Sequence, residues 1–290
     1  MTFDPEKLLA RPPLKTQHEL TRSDTMLYAL GVGAGNTTED LDFVYEENLQ
    51  ALPTMAVVMA YPGFIWRNPE LGADWKKLLH GEQMLELFAP LPVEGPLHSE
   101  TTFESVHDKG ADKGAIVYSK RCIYDDNGTH LATDTRSSFL RGNGGCGTPA
   151  SNKSPAPKPH TMPEGREPDI VVDLHTAPNQ AMIYRLSGDH NPLHIDPAVA
   201  KSAGFDQPVL HGLCTYGVVG RALLSAVAGN DSTRMKKMNV RFSAPVYPGE
   251  TIRTQIWREA ESHGNAGYAF RAQVVERDLV VINNGYCEVS

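Results

Sequence analysis

The stretch His211-Gly212-Leu213-Cys214-Thr215-Tyr216-Gly217-Val218-Val219-Gly220-Arg221-Ala222-Leu223-Leu224-Ser225-Ala226-Val227-Ala228 ends in Gly229-Asn230-Asp231. It carries one charged side chain, Arg221, in an otherwise apolar run, and it predicts a long helix over 212–228 stopped by the Gly-Asn-Asp turn. Three segments downstream, 251–259, 268–276 and 279–289, read as strands. Turn signals such as His263-Gly264-Asn265 separate them. Helix first and strands after, with the helix apolar, predicts a long central helix wrapped by an antiparallel sheet, an α+β pattern.

Upstream of the helix lies Tyr184-Arg185-Leu186-Ser187-Gly188-Asp189-His190-Asn191-Pro192-Leu193-His194-Ile195-Asp196-Pro197. Thr176, with Pro178 in the first turn, predicts a helix over 176–187. Asp196 reads as the cap of another, with Pro197 at its first position and Gly204 past its end. Between them, Gly188 and Asn191-Pro192 fix a non-helical loop that can turn Asp189 and His194 towards one point.

The first half of the chain echoes the second. Tyr28-Ala29-Leu30-Gly31 matches Tyr184-Arg185-Leu186-Ser187 at an offset of 156, and Ala89-Pro90 matches Ala244-Pro245 at 155. Strand-like segments at 101–106, 114–124 and 131–140 follow, as in the second half. An internal duplication is therefore predicted. It divides the chain into a half over 1–142, a Gly/Pro-rich linker over 143–167 and a half over 168–290. Under this alignment Gly33 stands opposite Asp189 and Thr38 opposite His194, so the first half has lost any acid/base pair.

Composition narrows the classes. A net charge of −8 argues against a nucleic-acid coat, which needs a basic surface. It leaves room for one anionic ligand at a local cluster, with Lys109 and Lys113 or Lys236, Lys237 and Arg241 as candidates. No apolar run approaches the ~18 residues of a membrane span. The N-terminus has no secretory pattern and the C-terminus is no SKL address; its end close to a strand also fits a piece of a larger protein. The four cysteines, Cys122, Cys146, Cys214 and Cys287, are scattered without CxxC spacing, which fits a reducing compartment.

Taken singly, Asp189 reads as well as a turn cap, His194 as a buried histidine and Asp196 as a helix cap. Together, a carboxylate and an imidazole can share one water, one removing a proton and the other delivering one. Asn191 is placed to hold that water or to orient Asp189. The amide of Gly212, in the first turn of a helix, is unpaired and carries partial positive charge. Such a donor steadies an enolate-like oxygen, and the absence of a side chain lets a carbonyl approach. No further ligand cluster joins His194 and Asp196, so no metal site is expected. With no evident nucleophile, the set points to proton chemistry beside a carbonyl, such as addition of water to a double bond conjugated with a thioester.

These residues, with Gly204-Phe205-Asp206 and Pro208-Val209-Leu210-His211-Gly212, resemble the MaoC-like hydratases, and within them the (3R)-specific 2-enoyl-CoA hydratase 2 group. Leu79-His80-Gly81-Glu82-Gln83, Asp108-Lys109-Gly110 and Arg241-Phe242 support the resemblance, which covers nearly the whole chain. It implies a double hotdog, each half a long helix wrapped by an antiparallel sheet, assembled as a homodimer. It implies catalysis by Asp189, His194 and Gly212. Substrate contacts fall on His80, Gly81, Lys109, His190, Asn191, Pro192, Leu193 and Phe242, with Lys109 meeting the CoA phosphates. No cofactor is implied, CoA being part of the substrate, and the family sits in peroxisomes or bacterial cytoplasm. Two rival readings use the same features: a hotdog acyl-CoA thioesterase, and a non-catalytic acyl-CoA binding module.

Overall fold

Ten strands form one antiparallel sheet in the computed structural model, which describes residues 2–290. In chain order they are β1 (Leu14–Leu20), β2 (Leu78–Leu87), β3 (Gly95–Asp108), β4 (Ala115–Asp125), β5 (His130–Leu140), β6 (Ile170–His175), β7 (Met235–Phe242), β8 (Thr251–Arg258), β9 (Ala266–Val274) and β10 (Leu279–Val289). Helices are α1 (Pro5–Leu9), α2 (Arg22–Gly31), α3 (Leu41–Val44), α4 (Gln180–Tyr184), α5 (Pro197–Ser202) and α6 (Gly212–Ala228).

The strand order is β1-β3-β4-β5-β2-β7-β10-β9-β8-β6. Read from each edge inwards, the two halves repeat one topology, and they meet where β2 pairs with β7. There Glu82 to Glu86 pair residue for residue with Arg241 to Lys237. The duplicated Tyr28 and Tyr184 face each other across the halves, with ring centroids 6.0 Å apart. A Cβ on Gly31 would come within 3.2 Å of the Tyr184 backbone, so glycine lets α2 and α4 cross closely.

Only the second half keeps the long helix. Helix α6 spans 17 residues and ends in the left-handed Gly229. In the first half a five-residue 3-10 turn, Pro53–Val57, takes the central place. Its residues Met55, Ala56 and Val57, with Met59 and Ala60 beyond, are at most 2% exposed. This corrects the expectation of one long helix per half. The left-handed Ala60, at φ 45°, and then Pro62-Gly63 stop the run before a longer helix can propagate. Helix α6 closes onto this turn through small residues: a Cβ on Gly217 or Gly220 would lie 2.4 Å from Val32 or Thr54.

The helix expected over 176–187 is also shorter. Thr176 does not cap it; its hydroxyl donates to the Glu250 carbonyl and receives the Gly249 amide, tying β6 to the β7–β8 connection. The helix starts at Gln180 instead, and the Gln180 side chain reaches the carbonyls of Leu30 and Gly31 in the other half. Segment 143–167 has no regular element and crosses from β3 to β10. The Asp108 carboxylate gathers the amides of Gly145 and Gly147, Asn152 pairs with the Val106 backbone, and Asn284 holds the His160 carbonyl. No helix among the described residues is long and apolar enough to cross a membrane.

Candidate active site

The loop between α4 and α5 takes its shape from three local devices. Gly188 adopts φ 115°, a left-handed region that side chains rarely enter. Pro192 opens a 3-10 turn, Pro192–His194, whose leading amide at Leu193 is held by the Asn191 side chain at 3.2 Å. Asp196 caps α5 through the amides of Ala198 and Val199. Asn191 therefore uses its side-chain oxygen within the loop. Its part in orienting Asp189 is played by its backbone amide, which donates to Asp189 Oδ1 at 3.1 Å.

The loop delivers Asp189 and His194 to the same point, and a third group joins them. Ring or carboxylate atoms of Asp189, His194 and His211 all lie within 4.8 Å of one another. His194 Nδ1 sits 2.8 Å from the Val209 carbonyl. A carbonyl only accepts, so Nδ1 carries the proton and Nε2 keeps its lone pair. The same logic fixes His211, whose Nε2 donates to the Asp189 carbonyl at 3.1 Å. His211 Nδ1 is buried without a partner. The two imidazoles stack at 3.7 Å. Burial lowers the His194 pKa, with Asp189 opposing the shift. Burial, and then the neighbouring His194, pushes His211 down to about 3. Both rings are therefore neutral at physiological pH.

Stacking also decides what the three groups can do. Imidazole lone pairs lie in the ring plane, so two rings 26° from parallel present them side by side rather than converging on one ion. With the lone pairs side by side and His194 Nε2 free beside Asp189, the set suits proton transfer. His211 was visible in the sequence only as the neighbour of Gly212. Its role depends on a contact with Asp189 across 22 positions, which no local pattern announces.

Gly212 opens α6, and its N-cap residue His211 makes no capping hydrogen bond through its side chain. The first-turn amides, next in sequence to His211, thus keep their partial positive charge free of a side-chain cap. A Cβ on Gly212 would meet Phe242 at an ordinary 3.6 Å, so internal packing does not require glycine there. Phe242 in turn packs on His80 from β2, ring centroids 5.0 Å apart, bringing the first half to the site. His80 donates from Nε2 to the Glu82 carbonyl at 3.0 Å. Gly81 lies in a bulge of β2, where a Cβ would be 2.8 Å from Ser137 Oγ.

Other expected residues stand apart. Lys109 is exposed on the hairpin joining β3 and β4, three strands from β2. His190 is exposed. The basic run on β7 does not form one cluster, since Lys237 pairs with Glu86 while Lys236 turns back to the Thr233 carbonyl.

Comparison with known proteins shows the family. Residues 160–279 match the MaoC like domain model, and residues 18–142 match the MFE-2 hydratase 2 N-terminal domain. A probable enoyl-CoA hydratase 2 of Dictyostelium discoideum is 40% identical, covering 89% of this chain and 88% of that one. The peroxisomal multifunctional enzyme type 2 of Mus musculus is 41% identical over 93% of this chain, which spans 36% of that longer protein. A MaoC-like dehydratase from Phytophthora capsici, 37% identical, superposes with a TM-score of 0.85 over 98% of both chains. The chain thus belongs to the MaoC-like hydratase 2 family of double-hotdog hydro-lyases.

Proposed function

We propose that the protein reversibly hydrates trans-2-enoyl-CoA to (3R)-3-hydroxyacyl-CoA, in fatty acid β-oxidation. Asp189 and His194 share the attacking water. Its hydroxyl bonds to C3 while a proton reaches C2 from the same side, and the pair ends as it began. The Gly212 amide holds the thioester oxygen as negative charge gathers there. The step is redox-neutral and consumes only water, so it calls for no cofactor.

One observation carries this reading: a carboxylate and a lone-pair imidazole nitrogen meet beside the uncapped amides of a helix N-terminus. A thioesterase would not need the paired imidazole, and a binding module would need neither group. The first half, over 1–142, serves as the acyl-CoA-binding half, with His80 and Gly81 beside the catalytic groups and Lys109, on the distant β3–β4 hairpin, meeting the CoA phosphates. The second, over 168–290, adds Phe242 and the Asp189–His194 loop. The working unit is a homodimer in a peroxisome or a bacterial cytoplasm.

The test follows the conjugated-enoyl absorbance of trans-2-enoyl-CoA, with the product trapped by an (R)-specific dehydrogenase. Turnover to the (3R) product supports the proposal. Release of free thiol from saturated acyl-CoA, or binding without turnover, would overturn it.

A further inference from the structure

The inner face of the first half carries charge where the second half carries none. On β4 and β5, Arg121 Nη2 donates to Asp134 Oδ2 at 2.6 Å and Arg136 Nη2 donates to the same oxygen at 2.5 Å. Gln83 on β2 holds the other oxygen, Oδ1. Both guanidinium groups lie over the ring of Tyr61. Two cations share one anion, so the cluster has a net charge of +1. The matching strands β7, β9 and β10 bury Met238, Phe270, Ala272, Ile282 and Cys287 instead. The fold therefore closes without ionised groups at this level, and burying them costs stability.

The surplus charge points one way. The Asp134 and Arg121 side chains are 0% and 3% exposed, while Arg136 is 17% exposed. Arg136 Nε and Nη1 find no acceptor among the described residues. His80 pairs with Ser138 on β5, and Arg136 follows two residues before Ser138 on the same face, which makes it a diagonal cross-strand neighbour of His80. The groups facing His80 are Arg136 and Asp134 from β5, Asp189 from the loop, Phe242 from β7 and the Glu82 carbonyl of its own strand.

We propose that Arg136 is a positioning residue that holds His80 as a single neutral tautomer, with Nδ1 as a hydrogen-bond acceptor for a donor on the substrate. With Nε2–H committed to Glu82, Nδ1 is the one free acceptor His80 can offer. An amide N–H on the CoA arm is the chemical class it fits. Burial and the nearby Arg136 charge together take the His80 pKa down to about 4. The proposal rests on the acyl-CoA reading of the same site.

Two readouts test it. The His80 imidazole is titrated by NMR in wild type and Arg136→Gln, a measurement that needs no turnover. The variant keeps the Arg121–Asp134 pair, so the cluster goes from a net charge of +1 to neutral and no buried anion is left unpaired. Its His80 pKa is expected to rise above about 4, while burial, the larger cause, still holds it below the ordinary 6.5. KM for the enoyl-CoA is then followed from pH 7.5 to 5.5. It stays flat in wild type and climbs towards the acid end in Arg136→Gln, as the acceptor becomes a donor. Arg136→Lys restores the flat profile, and adding Arg136→Gln to His80→Gln changes nothing further in it. Identical His80 titrations in wild type and Arg136→Gln would overturn the proposal, as would superimposable KM profiles. If wild type shows no turnover at all, the function fails while the NMR titration still judges Arg136.

Discussion

His194 and His211 stack face to face at 3.7 Å, and each donates its N–H to a backbone carbonyl. Val209 receives one and Asp189 the other. The His211 ring thereby fixes the backbone of the residue whose carboxylate does the chemistry, while its face fixes the imidazole partner. A proton placed on either ring would repel the other across the stack.

Replacing Asp189 with Asn keeps the Asn191 contact to the side-chain oxygen but removes the charge. Turnover of enoyl-CoA is expected to fall by ~10²-fold or more while thermal stability is held. An activity loss that tracks unfolding in circular dichroism would refute the assignment.

Glycine at 212 has no packing reason, so Gly212→Ala separates folding from function. The Tm should stay the same or rise, because alanine favours the helix. The ratio kcat/KM should drop by up to about 10², because the methyl group stands where the substrate carbonyl approaches. A drop in Tm with unchanged kcat/KM would show that glycine serves the fold.

One buried and two half-buried histidines set an acid limit on stability. His194, His211 and His80 have pKa values lowered by burial, the latter two to about 3 and about 4. The unfolded chain takes up protons below about 6.5 that the folded chain refuses, so stability rises with pH across this window and is lost on acidification. Urea midpoints measured at pH 7 and pH 5 should differ, with the lower value at pH 5. In His80→Gln the difference should narrow.

Asp134 has two arginine partners and no exposure. Asp134→Asn would leave both cations in the core without their counter-ion, at a cost of about 3–5 kcal/mol. Chemical denaturation measures this directly. A loss below about 1 kcal/mol would mean that water reaches the guanidinium groups.

Much of this was legible in the sequence, and the rest fails for identifiable reasons. Helix α6 was readable to the residue because its apolar run ends in Gly229-Asn230-Asp231. The loop from Gly188 to Pro197 was readable because Gly, Asn-Pro and Asp-Pro each restrict the backbone. Strands β1, β2, β6 and β7 were not read as strands. Leu14-Lys15-Thr16-Gln17-His18-Glu19-Leu20 is polar at most positions and buries only its last residue fully. Lys236, Lys237 and Arg241 masked the buried Met238 and Val240 between them. The Thr176 cap failed because a tertiary partner, Glu250, outbid the local helix amides. The Arg121–Asp134–Arg136 cluster joins two strands and left no mark at short spacing.

The seam between β2 and β7 has a consequence for how the site behaves in solution. His80 and Asp189 come from different halves, yet one chain carries both and five successive residue pairs bind those halves side by side. Their encounter is intramolecular, so its probability is set by the tether and the seam rather than by how much protein is present. Dilution cannot separate them, and the complement of groups around the substrate is the same at nanomolar as at millimolar concentration.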